Sequence, residues 1–222
     1  MSEIQNIKNR YKNRNDSGAD RLMFSIFSKA LKAEREKFYL KYLNAEFKDL
    51  SKIKVLEIGA GGGGNIYFFK SIGVESQNIF ANELLPERLT ELRRTHHDIN
   101  IIEGDALEIS ENLEFDLVFQ STVFTSILDN RFKQKLAKKM ISLTKESGII
   151  LWYDFQFNNP KNKDVKGVRL KEVRKLFPNG LIIKSKRVTL APPIGRRVGK
   201  LYNFINSVFP FLRTHLIVVI KK

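Results

Sequence analysis

Apolar residues recur along this chain in two rhythms, and the switches between them mark out most of its elements. Over 18–50 the spacing is helical, with Met23, Phe27, Ala30 and Leu31 on one face and Tyr39, Leu43, Phe47 and Leu50 after them. That predicts one or two helices. Residues 1 to about 17 are polar and predict a mobile arm. Short runs rich in Val, Ile, Leu and Phe then predict strands over 54–58, 78–82, 100–103, 115–120 and 148–154. Between them 65–71, 86–95 (with Pro86 at its first turn) and 130–145 predict helices. A helix over 170–177 and two strands over 181–190 and 214–220 complete the chain. Strands alternating with helices predict a mostly parallel sheet covered on both faces, an α/β doubly wound fold. The connection over 191–212 is too long for a tight hairpin and holds a helical stretch near 198–209, so it reads as an insertion that caps something.

Composition narrows the chemistry. The chain has 222 residues with 42% hydrophobic content, enough for one domain with a proper core. It lacks cysteine, which excludes a disulfide framework, a thiolate nucleophile and a thiolate metal site, and with three histidines no metal centre is expected. The polar start carries no secretory signal, and the apolar tail is interrupted by Pro210, Arg213 and His215 before it could span a bilayer. A cytoplasmic protein is expected, free or at a membrane periphery. With 39 Lys and Arg against 24 Asp and Glu, the net charge of +15 favours anionic partners: nucleic acid, anionic lipid or a phosphorylated substrate. The basic residues are dispersed, which weakens the nucleic-acid case.

The sharpest motif is Val55-Leu56-Glu57-Ile58-Gly59-Ala60-Gly61-Gly62-Gly63-Gly64-Asn65, a buried strand leading through glycines into a helix. Such a turn lets a ligand approach exposed backbone N–H groups closely. Gly59, Gly61 and Gly64 satisfy G-x-G-x-x-G, the dinucleotide fingerprint. Glu57, Gly59, Gly61 and Gly63 equally satisfy E-x-G-x-G-x-G. The surroundings separate the two. Glu57, inside the strand, suits the amino group of a bound amino acid and offers nothing to a pyrophosphate. Glu83 closes the second strand, where a carboxylate accepts from ribose hydroxyls. Asp105, in Gly104-Asp105-Ala106, ends the third, where it can accept from an adenine amine.

In VLEIGAGGGGN, NELLPERL, EGDA, FDLVFQSTVFTSILD, LWYDFQFNNP and PFLRTHLIVVI the sequence resembles class I S-adenosylmethionine-dependent methyltransferases, from about Lys52 to Lys222. Within that class it is similar to bacterial small-molecule enzymes grouped with polysaccharide or natural-product biosynthesis. The resemblance implies a seven-stranded sheet in the order 3-2-1-4-5-7-6 with strand seven antiparallel, S-adenosylmethionine as cofactor, and a methyltransferase domain over 51–222. Residues 1–50 would be an N-terminal arm and helices serving as a lid, and 191–212 a cap. By match of motif, Gly59, Ala60, Gly61 and Gly63 would cradle the methionine part. Glu83 and Leu84 would hold the ribose, Asp105 and Ala106 the adenine, and Gln120 the cofactor's far side. Tyr11 and Arg14 would close over it from the arm. The loop Gln120-Ser121-Thr122-Val123 lacks the Asn/Asp-Pro-Pro-aromatic box of base N-methyltransferases.

The expected function is methyl transfer to a small-molecule or lipid-linked acceptor, most naturally a hydroxyl of a sugar, glycolipid or secondary metabolite. An RNA methyltransferase and a non-catalytic cofactor-binding partner subunit are the alternatives. In a doubly wound sheet ligands sit at the carboxyl ends of parallel strands. Asp154 follows the fifth strand there, and an antiparallel last strand begins there, which places His215 beside it. His215 is the expected general base, by virtue of a pKa near neutrality, with Asp154 as base or orienting partner. His96 and His97 are expected on a solvated helix end. The Phe-rich insertion beside Arg196, Arg197 and Lys200 suggests peripheral membrane contact.

Overall fold

A computed structural model describes residues 2–12, 21–160, 162–178 and 181–222. Its sheet has the strand order β3-β2-β1-β4-β5-β7-β6. The strands are β1 (Val55–Ile58), β2 (Ile79–Glu83), β3 (Asn100–Glu103), β4 (Phe115–Ser121), β5 (Thr144–Phe155), β6 (Leu181–Leu190) and β7 (Arg213–Lys221). Strands β1 to β5 pair in parallel and β7 runs antiparallel to both β5 and β6. This is the order the resemblance implies.

The helices are α1 (Glu3–Lys12), α2 (Arg21–Glu46), α3 (Ile66–Ser71), α4 (Pro86–Thr95), α5 (Asn130–Leu143), α6 (Leu170–Leu176), α7 (Pro192–Val198) and α8 (Tyr202–Val208). Because side chains alternate across a pleated strand, the central strands are apolar on both faces and divide two cores. Leu56, Val118, Trp152 and Val218 face α5 and α6, where Leu136, Met140 and Val173 meet them. Val55, Phe119, Tyr153 and Ile217 face α2 and α3, where Tyr39, Leu43 and Phe69 meet them. Local signals set the helix starts. Asp129 accepts from the Arg131 and Phe132 amides at the head of α5, and Pro86 opens α4.

Two expectations need correction. The described part of the expected mobile arm is helix α1, with Ile7 buried in the α5-side core. Polar bonds dock it: Arg10 donates to the Ser126 carbonyl at 2.9 Å, and the Leu128 amide donates to Glu3, which also accepts from Arg10 within the helix at 2.7 Å. Arg14, expected to work with Tyr11, lies outside the described residues. The insertion holds two short helices instead of one, because Gly199 adopts a left-handed φ of 51° between them.

Glu34 of α2 seats that insertion. Its carboxylate accepts from the Thr189 amide, the Tyr202 hydroxyl and the Asn206 amide group. Gly195 meets Phe27 so closely that a Cβ there would lie 2.3 Å from the ring.

Candidate active site

The glycine loop leaves β1 with Gly59, Gly61 and Gly63 at φ values of 66°, 60° and 86°. Gly64 has no positive φ, and a Cβ on it would meet nothing within 4 Å. The loop therefore requires glycine where E-x-G-x-G-x-G has it, and not at the last position of the dinucleotide fingerprint. A Cβ on Gly59 would lie 2.6 Å from Val123, so the first turn closes against the loop after β4. At Gly63 a Cβ would lie 2.4 Å from His96. His96 is buried and its Nε2 donates to the Gly63 carbonyl at 3.0 Å. The expected solvated histidine is instead a clamp on the loop. Burial lowers its pKa, which the bond to Gly63 opposes.

Glu83 joins this loop to the next strand end. Its Oε2 accepts from the Gly61 amide at 2.6 Å, and its Oε1 from the Leu84 and Leu85 amides at 2.9 Å each. A carboxylate has about four lone-pair sites, so acceptor capacity remains for a ligand hydroxyl. Asp105 accepts from the Leu107 amide and holds Ala106 against the same cleft. Gly59, Glu83, Leu84, Asp105 and Ala106 form one wall of that cleft. Thr122, Val123 and Ser126 form the opposite wall, with Ile4, Ile7 and Tyr11 of α1 above. Tyr11 is fixed by a 2.9 Å bond between its hydroxyl and Ser126 Oγ, and by the Arg88 guanidinium 4.4 Å from its ring centroid.

Gln120 does not line the cleft. It is fully buried, accepting from the Val123 amide and donating to the Tyr153 carbonyl, so it shapes the loop that does. Thr122, in that loop, has a φ of 61°, strain of the kind that concentrates at ligand sites.

Beyond the glycine loop, on the α2 side, lies a second polar group. Glu57 accepts from Asn65 Nδ2 at 2.7 Å, while its buried Oε2 has no partner. Burial pushes its carboxyl up to about 8, against the pull of the Asn65 bond and the Arg35 charge. The buried Arg35 Nε also lacks a partner. Its guanidinium sits 4.9 Å from the Tyr153 ring centroid, and its Nη1 donates a long 3.4 Å bond to Ser121 Oγ. A buried carboxylate oxygen and a buried guanidinium N–H, both unpartnered beside an amide-rich loop, suit the ammonium and carboxylate of an amino acid. Arg35 escaped the sequence reading because it lies in the charged run Lys32-Ala33-Glu34-Arg35-Glu36-Lys37, which reads as a solvated face.

The expected His215–Asp154 pair does not form. In the β5–β7 register His215 lies opposite Phe155 and Asp154 opposite Leu216, so the two side chains emerge on opposite faces of the sheet. Asp154 is fully buried and accepts from the Thr125 hydroxyl at 2.6 Å and from the Thr125 and Phe155 amides. Burial pushes its carboxyl up to about 7 despite those bonds. It braces the loop after β4. His215 stacks on Tyr153 with ring centroids 5.1 Å apart, and its Nδ1 lies 3.0 Å from the Thr214 hydroxyl. Burial, reinforced by the Arg35 charge, drives its pKa down to about 3. His215 therefore lacks the near-neutral pKa on which its expected role as general base rested.

No protein-family model matches the sequence, and no curated protein matches it. Solved structures share the fold along nearly the whole chain. Magnesium protoporphyrin IX methyltransferase from Synechocystis PCC 6803, with bound S-adenosylmethionine, superposes with a TM-score of 0.68 at 10% identity, covering 100% of this chain and 98% of that one. The 1,6-didemethyltoxoflavin-N1-methyltransferase of Burkholderia thailandensis gives 0.61 at 15% identity, over 99% and 86%. An S-adenosylmethionine-dependent methyltransferase from Archaeoglobus fulgidus gives 0.59 at 15% identity, over 88% and 99%. The fold is thus the seven-stranded one these methyltransferases have.

Proposed function

We propose that this protein transfers a methyl group from S-adenosylmethionine to a small-molecule acceptor, with a hydroxyl of a sugar, glycolipid or secondary metabolite as the methylated group. One observation carries the reading: Glu57, Glu83 and Asp105 stand at three successive strand ends around a glycine loop whose flank holds the unpartnered Glu57 Oε2 and Arg35 Nε. Glu57 and Arg35 hold the amino-acid end of the cofactor, with Gly59, Ala60, Gly61 and Gly63 supplying close backbone. Glu83 takes a ribose hydroxyl. Asp105 and Ala106 meet the adenine beneath Tyr11. The bound cofactor supplies an electrophilic sulfonium methyl, so the chain's own task is to align the acceptor.

The acceptor side is the α2 face of the β4 and β5 ends, where Ser121, Arg35, Tyr153 and His215 come together beside the insertion. A neutral His215 with so low a pKa orients a hydroxyl by hydrogen bonding and is a poor proton store. Rate then comes chiefly from alignment, with the hydroxyl proton passing to solvent. The reading is tested by incubating the protein and methyl-labelled S-adenosylmethionine with sugar-nucleotide, lipid-linked glycan and RNA pools. Label in either of the first two is expected. Label confined to RNA would overturn the acceptor assignment, and label in none would favour the non-catalytic alternative.

A further inference from the structure

The insertion between β6 and β7 buries one side and leaves large apolar side chains on the other. Its inner side packs Ile194, Val198 and Ile205 against Phe27, Leu190 and Tyr202, and its polar groups are engaged there: Tyr202 and Asn206 are buried against Glu34, and Arg213 closes the base by donating to the Asn206 side chain and carbonyl. Its outer side carries large apolar side chains. Leu201, Phe204, Val208 and Phe211 are 60%, 65%, 51% and 71% exposed, and Phe209 packs edge-on against Phe211. Leu201, Phe204 and Val208 follow one another at helical spacing, so they form a stripe and not scattered exposures. The inner bonds hold this stripe outward, since turning it in would strand the Glu34 carboxylate and its partners.

Basic residues precede the stripe along the chain. Arg196, Arg197 and Lys200 are exposed immediately before it. Lys184, Lys186 and Arg187 are exposed on the strand leading into it. No Asp or Glu follows Glu172, while residues 181–222 carry nine Lys and Arg. Among the described residues, the carboxylate hydrogen-bonded to the insertion is Glu34, and it is engaged inward. Cationic side chains flanking exposed aliphatic and aromatic ones are the pattern of an interfacial anchor. RNA would use the cations and the Phe rings but has nothing to offer Leu201 and Val208, which have no face on which a base stacks.

We propose that the 191–212 insertion docks this protein on anionic lipid bilayers, with Phe204 and Phe211 entering the acyl boundary and Arg197 and Lys200 meeting the headgroups. No described helix is long and apolar enough to cross a membrane, so the contact is peripheral. On the methyl-transfer reading, docking brings a lipid-anchored acceptor to the α2 face, but the contact itself needs no turnover.

Cosedimentation with phosphatidylcholine vesicles, with and without about 30% phosphatidylglycerol, tests the contact by itself. The protein is expected to partition onto the anionic vesicles and to leave them at high salt. F204S/F211S and R197Q/K200Q are each expected to lower that partitioning about tenfold, one through lost apolar burial and the other through lost charge. Thermal melting and S-adenosylhomocysteine affinity should stay as in the parent protein. Equal partitioning of parent and F204S/F211S, or no preference for anionic over neutral vesicles, would overturn the proposal. So would tight binding of a single-stranded RNA oligonucleotide together with indifference to vesicles, which would assign the patch to nucleic acid.

Discussion

Glu83→Ala should weaken S-adenosylhomocysteine binding by about 1–3 kcal/mol, roughly five- to 150-fold in Kd. Two losses add up. A ribose hydroxyl loses a charged acceptor, and the Gly61, Leu84 and Leu85 amides lose the carboxylate that holds the glycine loop to the end of β2. Glu83→Gln is no milder control, because both carboxylate oxygens accept from N–H groups and an amide would turn one donor against another. It should bind nearly as poorly as the alanine variant. Calorimetry on folded protein measures both, and wild-type affinity in Glu83→Ala would remove Glu83 from the site.

Gly63→Ala should cost stability on the order of 2–5 kcal/mol, against almost nothing for Gly64→Ala. At Gly63 the added methyl meets a left-handed backbone, with φ of 86°, and two buried neighbours, His96 Cδ2 at 2.4 Å and Leu92 Cδ1 at 2.8 Å. Neither neighbour has room to retreat, since Leu92 sits in the α2-side core and His96 is tied to the Gly63 carbonyl. At Gly64 the methyl enters open space. Chemical denaturation of the two variants, one residue apart, reads the difference directly. Equal stability would mean that the loop does not need glycine where E-x-G-x-G-x-G places it.

Strand and helix order was legible because central strands buried on both faces read as short apolar runs, and the helices between them read at their own period. The β5 residues Ile149, Ile150, Leu151, Trp152 and Tyr153 illustrate this, being buried on alternating sides of the sheet. The strand-end carboxylates Glu57, Glu83 and Asp105 were equally legible, since their positions follow from where each strand stops. What depends on long-range register was not. Asp154 and His215 reach the same sheet edge, yet only the β5–β7 pairing reveals that they point to opposite faces. His96 closes a helix rich in charge, and its burial comes from the glycine loop folding back on it. In α1, Ile4, Ile7 and Tyr11 form a sparse stripe within a polar segment, and tertiary contacts supply the order that local sequence does not.

The central claim is that Glu57 and its neighbours receive the amino-acid end of S-adenosylmethionine, and proton release on binding tests it most directly. With its carboxyl raised to about 8 by burial, Glu57 is largely protonated at pH 7 before a ligand arrives. An ammonium placed beside it favours the carboxylate, so binding should expel close to one proton. Affinity should therefore rise with pH between 6 and 8, by at most about tenfold per unit. S-adenosylhomocysteine should be titrated at pH 7 in two buffers of different ionisation heat, with NADH titrated alongside. The expected result is S-adenosylhomocysteine binding with proton release, both the release and the pH dependence vanishing in Glu57→Gln, and no NADH binding. NADH binding without S-adenosylhomocysteine binding would contradict the account.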